Sequence, residues 1–396
     1  MKEKNVLIIG EMNSENIGDK AIFEGLKHSL STSNDKIKIS ELSFSSGQKK
    51  TDTPSIQPQK SNIGKIILKK VIKKNYKVYS LFNMLKTFSF YYKNRNLVKS
   101  EFRKSDLIIV GGGALLQDNA MTFPAALYVL SIMSKKFSKK ISVVGCSSGN
   151  KFSWLSKKFI NKFLLQTDQL YMRDPKSVEI IYREFNIYSQ IIPDNALRYN
   201  IDHILSDTKK DLKNKKLLKI GINLMTFSNH GIGRNEKFKK EYEKIVLECI
   251  QIILNSERES EIHLFTTGED SDLEIIKKIK LNHNDIKLFV PKDLSDLLVF
   301  INGLDTMLNT RLHASILGLL LKKPISSIIW DEKVKGFYEL CGLSDRSFNI
   351  KKDFSANDIV RTIFDFESSD SKFEKIKEDL VIHHKKNIEV ILSNLE

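Results

Sequence analysis

Alternating strand-like and helix-like segments along most of the chain predict an α/β fold with parallel sheets and helices on both faces. Short apolar runs such as NVLIIG, DLIIVGGG and ISVVG are each followed by a stretch with apolar residues at helical spacing. The alternation stops at a polar, lysine-rich stretch, SDTKKDLKNKK (206–216), and restarts at LLKIGINL. A chain of 396 residues is long enough for two domains, each burying its own core. The expected division is a Rossmann-like domain at 1–205, a linker, and a second Rossmann-like domain at 217–396. Two such domains facing each other make a cleft, with ligands at the C-terminal ends of the strands.

Each element has its own signal. NVLIIG reads as a buried strand, and DKAIFEGLKHSL as the helix after it, with Ile22, Leu26 and Leu30 on one face. KIKISELSF alternates like a strand. The Ser/Thr/Pro/Gln stretch SSGQKKTDTPSIQPQK has loop composition and opens a basic insertion at about 46–104. DLIIVGGG, ISVVG, QLYMRD and SQIIPD continue the strands, with helices near Phe123–Lys136, Trp154–Gln166 and Pro175–Phe185. In the second half LLKIGINL, EIHLFTT, IKLFV, DTMLNT and PISSIIW read as strands. Helices are expected near Lys237–Leu254, from Asp272, from Leu294 and over Leu312–Leu321, and helical segments finish the chain.

The composition, 41% hydrophobic and 28% charged, is that of a globular protein without extensive disorder. The longest apolar runs are about ten residues, whereas a membrane-spanning helix needs roughly 18. The start, MKEKNVLIIG, is too short for a signal-peptide core, so a cytoplasmic protein is expected. Cys146, Cys249 and Cys341 show no CxxC spacing and read as core thiols. The net charge of +16 is concentrated: between Lys60 and Lys104 stand 13 Lys or Arg and one acid, Glu101. Charge so local, without a recognition motif, speaks against a nucleic-acid partner. Within it Ile63, Ile66, Ile67 and Val71 can share one helix face and Lys65, Lys69 and Lys73 another. Two readings stand: a basic amphipathic segment (60–104) in peripheral contact with an anionic membrane surface, and a helical pair packed on the domain with solvated lysines.

Four groups of residues fall at or just after strand ends. NIGDKAI places Asn16, Gly18 and Asp19 at a helix start, which suits an anion and equally a plain N-cap. Gly112 and Gly113, in GGG, suit close approach to a ligand and equally a tight turn. There is no GxGxxG or GxxxxGK[ST], so no dinucleotide cofactor or P-loop is supported. MRDP places Arg173 and Asp174 before a helix that Pro175 can open, as a ligand pair or a structural ion pair. PDNALR repeats the theme with Asp194. Arg311 and His313 flank the start of an apolar helix, and Lys333 follows the next strand. A planar cation, a titratable imidazole and a helix N-terminus together make an anion site with an acid/base group beside it. No metal-ligand cluster and no GxSxG elbow is present, so no metal and no cofactor is expected.

Taken in order, NIGDKAI, DLIIVGGGALLQD, YMRDPKSVEII, IIPDNAL, GINL and TRLHASILGLLLKKPISSIIWDEKVKGFYELCG resemble the polysaccharide pyruvyl transferase family. The resemblance runs from residue 5 to about 343. It implies two Rossmann-like domains in a GT-B-like arrangement and transfer of pyruvate from phosphoenolpyruvate to a sugar, usually as a ketal. The acceptor would be a cell-surface polysaccharide or its lipid-linked precursor. Arg311 and His313 fall on the family's Arg-Leu-His donor motif and Arg173 on its strand-end arginine. Asn16, Gly18, Asp19, Gly112 and Gly113 fall on the N-terminal cleft motifs. The chain departs from the family at Trp330, where a tyrosine is usual, and at VGCSSGN, which lacks a Gly-Pro. Residues 46–104 have no clear counterpart.

The residues suit that chemistry on their own terms. Phosphoenolpyruvate carries a carboxylate and a phosphate, which call for arginine, helix N-termini and glycine backbone. His313 suits one of the proton transfers, and Asp19 or Asp174 suits orienting or deprotonating the acceptor. Two other functions fit the same fold: a GT-B glycosyltransferase using a nucleotide-sugar, and a non-catalytic scaffold of polysaccharide assembly.

Overall fold

The computed structural model describes residues 3–12, 16–34, 36–44, 76–205, 217–227, 236–281, 285–350, 354–365, 370–393 and 395. The expected linker at 206–216 and the first part of the basic insertion, including Ile63, Ile66, Ile67 and Val71, lie outside these residues.

Strands β1 (Lys4–Gly10), β2 (Ile37–Ser43), β3 (Leu107–Gly111), β4 (Lys140–Cys146), β5 (Gln169–Met172) and β6 (Gln190–Ile191) form one sheet in the order 2-1-3-4-5-6. Every pairing is parallel. Val6–Ile9 and Leu107–Val110 are buried throughout, as strands covered on both faces must be. The helices of this half are α1 (Ile17–Ser33), α2 (Tyr76–Lys93), α3 (Arg95–Lys104), α4 (Thr122–Phe137), α5 (Trp154–Leu164), α6 (Pro175–Phe185) and the short α7 (Asp202–Leu205).

A second sheet holds β7 (Leu218–Asn223), β8 (Ser260–Phe265), β9 (Lys287–Phe289), β10 (Thr306–Asn309), β11 (Ile325–Ile329) and β12 (Ser347–Asn349). Its order is 12-11-10-7-8-9, again all parallel. Numbered within the sheet, this is 6-5-4-1-2-3, the doubly wound Rossmann order. Helices α8 (Glu236–Leu254), α9 (Leu273–Leu281), α10 (Leu294–Asn302), α11 (Leu312–Leu320), α12 (Glu332–Leu340), α13 (Ala356–Phe364) and α14 (Asp370–Ser393) complete it. Two apolar clusters lie in this half, one around α10 to α12 and one around α8, α9 and α13. Helices alone were expected after β11, yet β12 pairs with it from Ser327↔Ser347 to Ile329↔Asn349. A strand of three residues is too short to carry a period.

The chain forms two compact units, but not by one cut at the linker. One comprises Met1–Asn13, Leu30–Ile192 and Asn387–Glu396, the other Ser14–Ser29 and Pro193–Lys386. Most of α1 belongs to the second unit because Ile17, Ala21 and Ile22 share a core with Ala196, Leu197, Ile201, Ile204 and α10–α12. The last residues belong to the first because Asn387 Nδ2 donates to the Ile191 carbonyl (3.4 Å), Gln169 Nε2 to that of Val390 (3.3 Å) and Lys4 Nζ to that of Leu395 (2.5 Å).

Within the second unit a buried polar knot ties three segments. His384 of α14 is fully buried, with Nε2 2.8 Å from Asn195 Oδ1 and Nδ1 3.3 Å from Ser29 Oγ. An acceptor oxygen at Nε2 fixes the proton there, leaving Nδ1 to accept from the serine hydroxyl. Burial, reinforced by Arg198 and His383, pushes the imidazole pKa down to about 3. Above the unperturbed value near 6.5 the group is neutral in both folded and unfolded chains. Below it only the unfolded chain binds the proton. Stability is therefore expected to fall by about 1.4 kcal/mol per pH unit from roughly pH 6.5 downward on this account. Denaturant melts of the wild type and of His384→Gln, which keeps an amide donor and cannot titrate, should show a shallower pH dependence in the variant.

Candidate functional site

In the second sheet the strand order reverses between β7 and β10, so that side of the sheet opens a crevice beyond the strands' C-terminal ends. The arginine and histidine of the TRLH stretch stand there. Arg311 stands two residues after the end of β10 and is the N-cap residue of α11. Its backbone N–H donates to Asn223 Oδ1 (3.0 Å), and Thr310 N–H donates to the Asn223 carbonyl (3.2 Å). Asn223, fully buried at the end of β7, is thus the bracket that fixes the β10–α11 turn. Its own Nδ2 donates across to the Phe265 carbonyl at the end of β8 (3.1 Å).

The guanidinium is held by a carboxylate that the sequence did not single out. Arg311 Nε donates to Asp272 Oδ2 at 2.8 Å and Nη2 to Oδ1 at 2.9 Å. Asp272 is fully buried, and its Oδ1 also accepts from Thr226 N–H (2.9 Å). The pair occupies the side edge of the guanidinium. The end edge, Nη1 with the second Nη2 hydrogen, has no hydrogen-bond partner among the described residues, and the side chain keeps 12% of its surface exposed. A fork held on one edge can offer the other to a carboxylate or phosphate without losing side-chain freedom on binding. Tyr242 supports the same corner. Its hydroxyl accepts from Met225 N–H (3.3 Å) and shares a hydrogen bond with Thr310 Oγ1 (2.8 Å). Burial pushes that phenol well above its ordinary range, so it stays neutral.

The NIGD stretch comes to the same place. A Cβ added at Gly18 would lie 1.9 Å from Nδ1 and 2.1 Å from Cγ of His313. The first turn of α1 therefore lies flat against the imidazole, at a distance only glycine permits. Gly18 N–H donates to Asn16 Oδ1 (2.8 Å) and Asp19 N–H to the Asn16 carbonyl (3.2 Å), so Asn16 is the residue that turns the chain into α1. The half-buried Asp19 carboxylate makes no hydrogen bond or ion pair among the described residues. The starts of α1 and α11 meet at His313, so two sets of backbone N–H groups and two positive dipole ends lie around it. The α11 N-cap side chain makes no capping bond of its own.

Lys333 sits in the first turn of α12, 5.1 Å above the Trp330 ring and 3.9 Å from Asp331 Oδ2. Trp330 Nε1 donates to the Thr310 carbonyl (2.8 Å), which joins the end of β11 to the Arg311 turn. At the position where tyrosine is usual, the indole thus makes a structural bond.

Of the remaining sequence candidates, all but Asp194 lie in the first unit. Gly112 and Gly113 follow β3 with φ of 79° and 69°, the left-handed region where glycine is favoured. Ser147 N–H donates to the Gly113 carbonyl (2.9 Å) and Arg173 Nε to Ser147 Oγ (2.5 Å), so the glycine turn and the strand-end arginine share one seryl bridge. Asp174 is buried and caps the helix that follows it. Oδ1 accepts from Ser177 N–H (2.7 Å) and Oδ2 from Ser177 Oγ (2.8 Å). Asp194 likewise caps the turn at Asn195–Arg198, accepting from Ala196 N–H (2.9 Å). Among the described residues no three His, Cys, Asp or Glu side chains group so as to hold a metal ion.

The sequence thus pointed to Arg311, His313, Gly18, Asn16 and Asp19, which gather in the second unit, and missed Asp272 and Asn223. Asn223 stood in the quoted GINL, at a strand end. Asp272 is one of three acids in GEDSD, and nothing in the spacing selects it.

Comparison with known proteins agrees with this organisation. No functionally curated protein matches the sequence. Solved structures match over nearly the whole chain. UDP-GlcNAc 2-epimerase from Neisseria meningitidis bound to UDP-GlcNAc is 13% identical, with 99% of each chain covered and a TM-score of 0.52. Anabaena HepE in complex with UDP and glucose is 11% identical, covering 98% of this chain and 100% of its own, with a TM-score of 0.54. A UDP-N-acetylglucosamine 2-epimerase from Listeria monocytogenes is 12% identical, covering 96% and 91%, with a TM-score of 0.53. At such identities the likeness shows the fold, which is α/β and GT-B-like with two Rossmann-like units. The model of one protein family, polysaccharide pyruvyl transferase, matches residues 16–332, a span that begins at the Asn16 turn and ends at the start of α12. The chain therefore belongs to the polysaccharide pyruvyl transferase family.

Proposed function

We propose that this protein transfers the pyruvyl group of phosphoenolpyruvate to a sugar of a cell-surface polysaccharide or its lipid-linked precursor, as a ketal, releasing phosphate. The reading places the reaction in the cytoplasm. What carries it is the close packing of the α1 start on His313, two residues beyond the Asp272-held guanidinium of Arg311. Such a corner suits a small ligand with two anionic groups: the guanidinium end edge takes one and the N–H groups of two helix starts the other.

In this reading a proton is delivered to the methylene carbon of phosphoenolpyruvate, which makes the neighbouring carbon oxocarbenium-like. A sugar hydroxyl bonds to that carbon as its proton passes to a base. The carbon–oxygen bond to phosphate then breaks, phosphate leaves, and a second sugar hydroxyl closes the ketal. His313 is the acid or base for one of these transfers, and Asp19 orients or deprotonates the acceptor. Arg311 and Lys333 stabilise charge on the departing phosphate. Asn16 and Gly18 shape the helix start. The capping bonds of Asp174 favour a supporting role for it, beside Gly112, Gly113 and Arg173 in the first unit.

The first test is thermal. Phosphoenolpyruvate, UDP-glucose and GDP-mannose are added separately to the purified protein. Phosphoenolpyruvate alone is expected to raise the melting temperature, by mass action on the folded state, and Arg311→Ala to abolish the rise. A rise with a nucleotide-sugar alone would mean a glycosyltransferase. Donor binding without acceptor-dependent phosphate release, assayed with polysaccharide precursors, would mean a scaffold.

Two variants probe the geometry. Gly18→Ala forces the imidazole to move, since a methyl group cannot stand 1.9 Å from Nδ1. It should lower kcat by about 100-fold, the scale of an ångström-sized displacement of a reacting group. Asp272→Asn keeps the shape but removes the charge that orients the guanidinium. As a positioning residue it should raise the KM for phosphoenolpyruvate by about 10-fold or more with a smaller change in kcat. A purely structural role would lower the active fraction and melting temperature and leave KM unchanged.

A further inference from the structure

Among the described residues, helix α2 exposes an apolar stripe on its outer face. Its inner face is docked: Thr87 and Tyr91 are buried, Asn83 Nδ2 donates to the Ala120 carbonyl (3.3 Å), and Phe88 packs on Tyr128 and Phe159. Its outer face carries Val78, Leu81, Phe82, Leu85 and Tyr92, exposed by 48, 52, 43, 57 and 69%. At about 100° per residue these five fall within an arc of roughly 100°. On the same wheel Lys77 borders one edge of the stripe, and Lys86 and Lys93 border the other. All three lysines are exposed. Helix α2 contains no acid. The single acid of the wider basic segment, Glu101, is 3% exposed on α3 and lies 4.0 Å from Lys104. Charge and apolar surface therefore alternate across the exposed face, and α2 itself contributes no acid to it.

We propose that α2 lies in the plane of an anionic lipid bilayer surface, with the stripe at the headgroup boundary and Lys77, Lys86 and Lys93 on lipid phosphates. A contiguous apolar stripe of large side chains is unusual on a surface facing only water. Flanking lysines whose stems lie along apolar surface and whose ammonium groups reach outward are the arrangement such an interface selects. An exposed apolar stripe alone would equally take another protein, but the positive border matches a surface of negative charge. No helix among the described residues is long and apolar enough to cross a membrane, so the contact is peripheral. The inference stands apart from the pyruvyl reading: it uses no residue of the proposed donor corner.

Flotation of the full chain with vesicles tests it. The wild type should float with phosphatidylcholine vesicles containing phosphatidylglycerol and stay behind with phosphatidylcholine alone, with binding that weakens as salt is added. Replacing Lys77, Lys86 and Lys93 together by Gln should lower partitioning by about 100-fold, at about fivefold per lysine. Leu81→Ser with Leu85→Ser should abolish flotation while leaving the melting temperature and the mass in solution unchanged. Equal flotation with both vesicle types, or none, overturns the proposal. So does a double Ser variant that melts several degrees lower and still floats, for the stripe would then be covered within the protein. A wild-type dimer that the double Ser variant dissociates would assign the stripe to a second copy and overturn it as well.

Discussion

The close packing of one face of α1 within the second unit is the constraint on which most of the candidate site rests. Gly18, Gly25 and Ser29 are spaced seven and four residues apart and so share a helix face. A Cβ at Gly18 would strike the His313 ring, and one at Gly25 would lie 2.0 Å from the Asn195 carbonyl oxygen. Ser29, the next position along that face, reaches His384, which reaches Asn195. Small residues let the helix backbone touch a side chain at its start and a loop in its middle. The apolar residues Ile17, Ala21 and Ile22 enter the core of α10 to α12 beside them. Glycine in a helix interior costs about 1 kcal/mol relative to alanine. Here that cost is offset by packing that a larger residue would forbid.

From that contact the electrostatics follow. The α1 start can meet the α11 start only because nothing stands between Gly18 and His313. The convergence of two helix N-termini concentrates positive potential where Arg311 already stands. A buried carboxylate beside a cation would, taken alone, weaken an anion site. Its geometry decides otherwise, because Asp272 bonds the Nε edge and leaves the outward edge of the fork. A guanidinium and carboxylate in bidentate contact also avoid the large cost of burying either charge alone. Asn223 and Tyr242, both apolar-walled and hydrogen-bonded, then hold the backbone that carries the pair.

The first unit shows the same economy with different groups. The left-handed glycines after β3 and the strand-end Arg173 are connected through Ser147, while Asp174 and Ser148 both meet Ser177. Each strand end is thus tied to its neighbour by one small hydroxyl residue. In contrast, α2 on the same unit turns Leu81, Phe82 and Leu85 outward.

The sequence by itself determined the α/β class, the two sheets and nearly every strand and helix, and it singled out Arg311 and His313 in one group and Asn16, Gly18 and Asp19 in another. Those signals are local: buried parallel strands read as unbroken apolar runs, helices as a 3.6-residue period, and strand ends as the places where polar residues interrupt them. Only the tertiary structure decided which unit α1 joins and that Asp272 holds Arg311. It also decided that Ser29, Asn195 and His384 form one knot and that Asp174 caps α6. Asp272 lies 39 residues from Arg311, and His384 lies 355 from Ser29. Pairings at such separations are set by how the sheets order their strands and how near two backbones come. No periodicity within a segment encodes that distance.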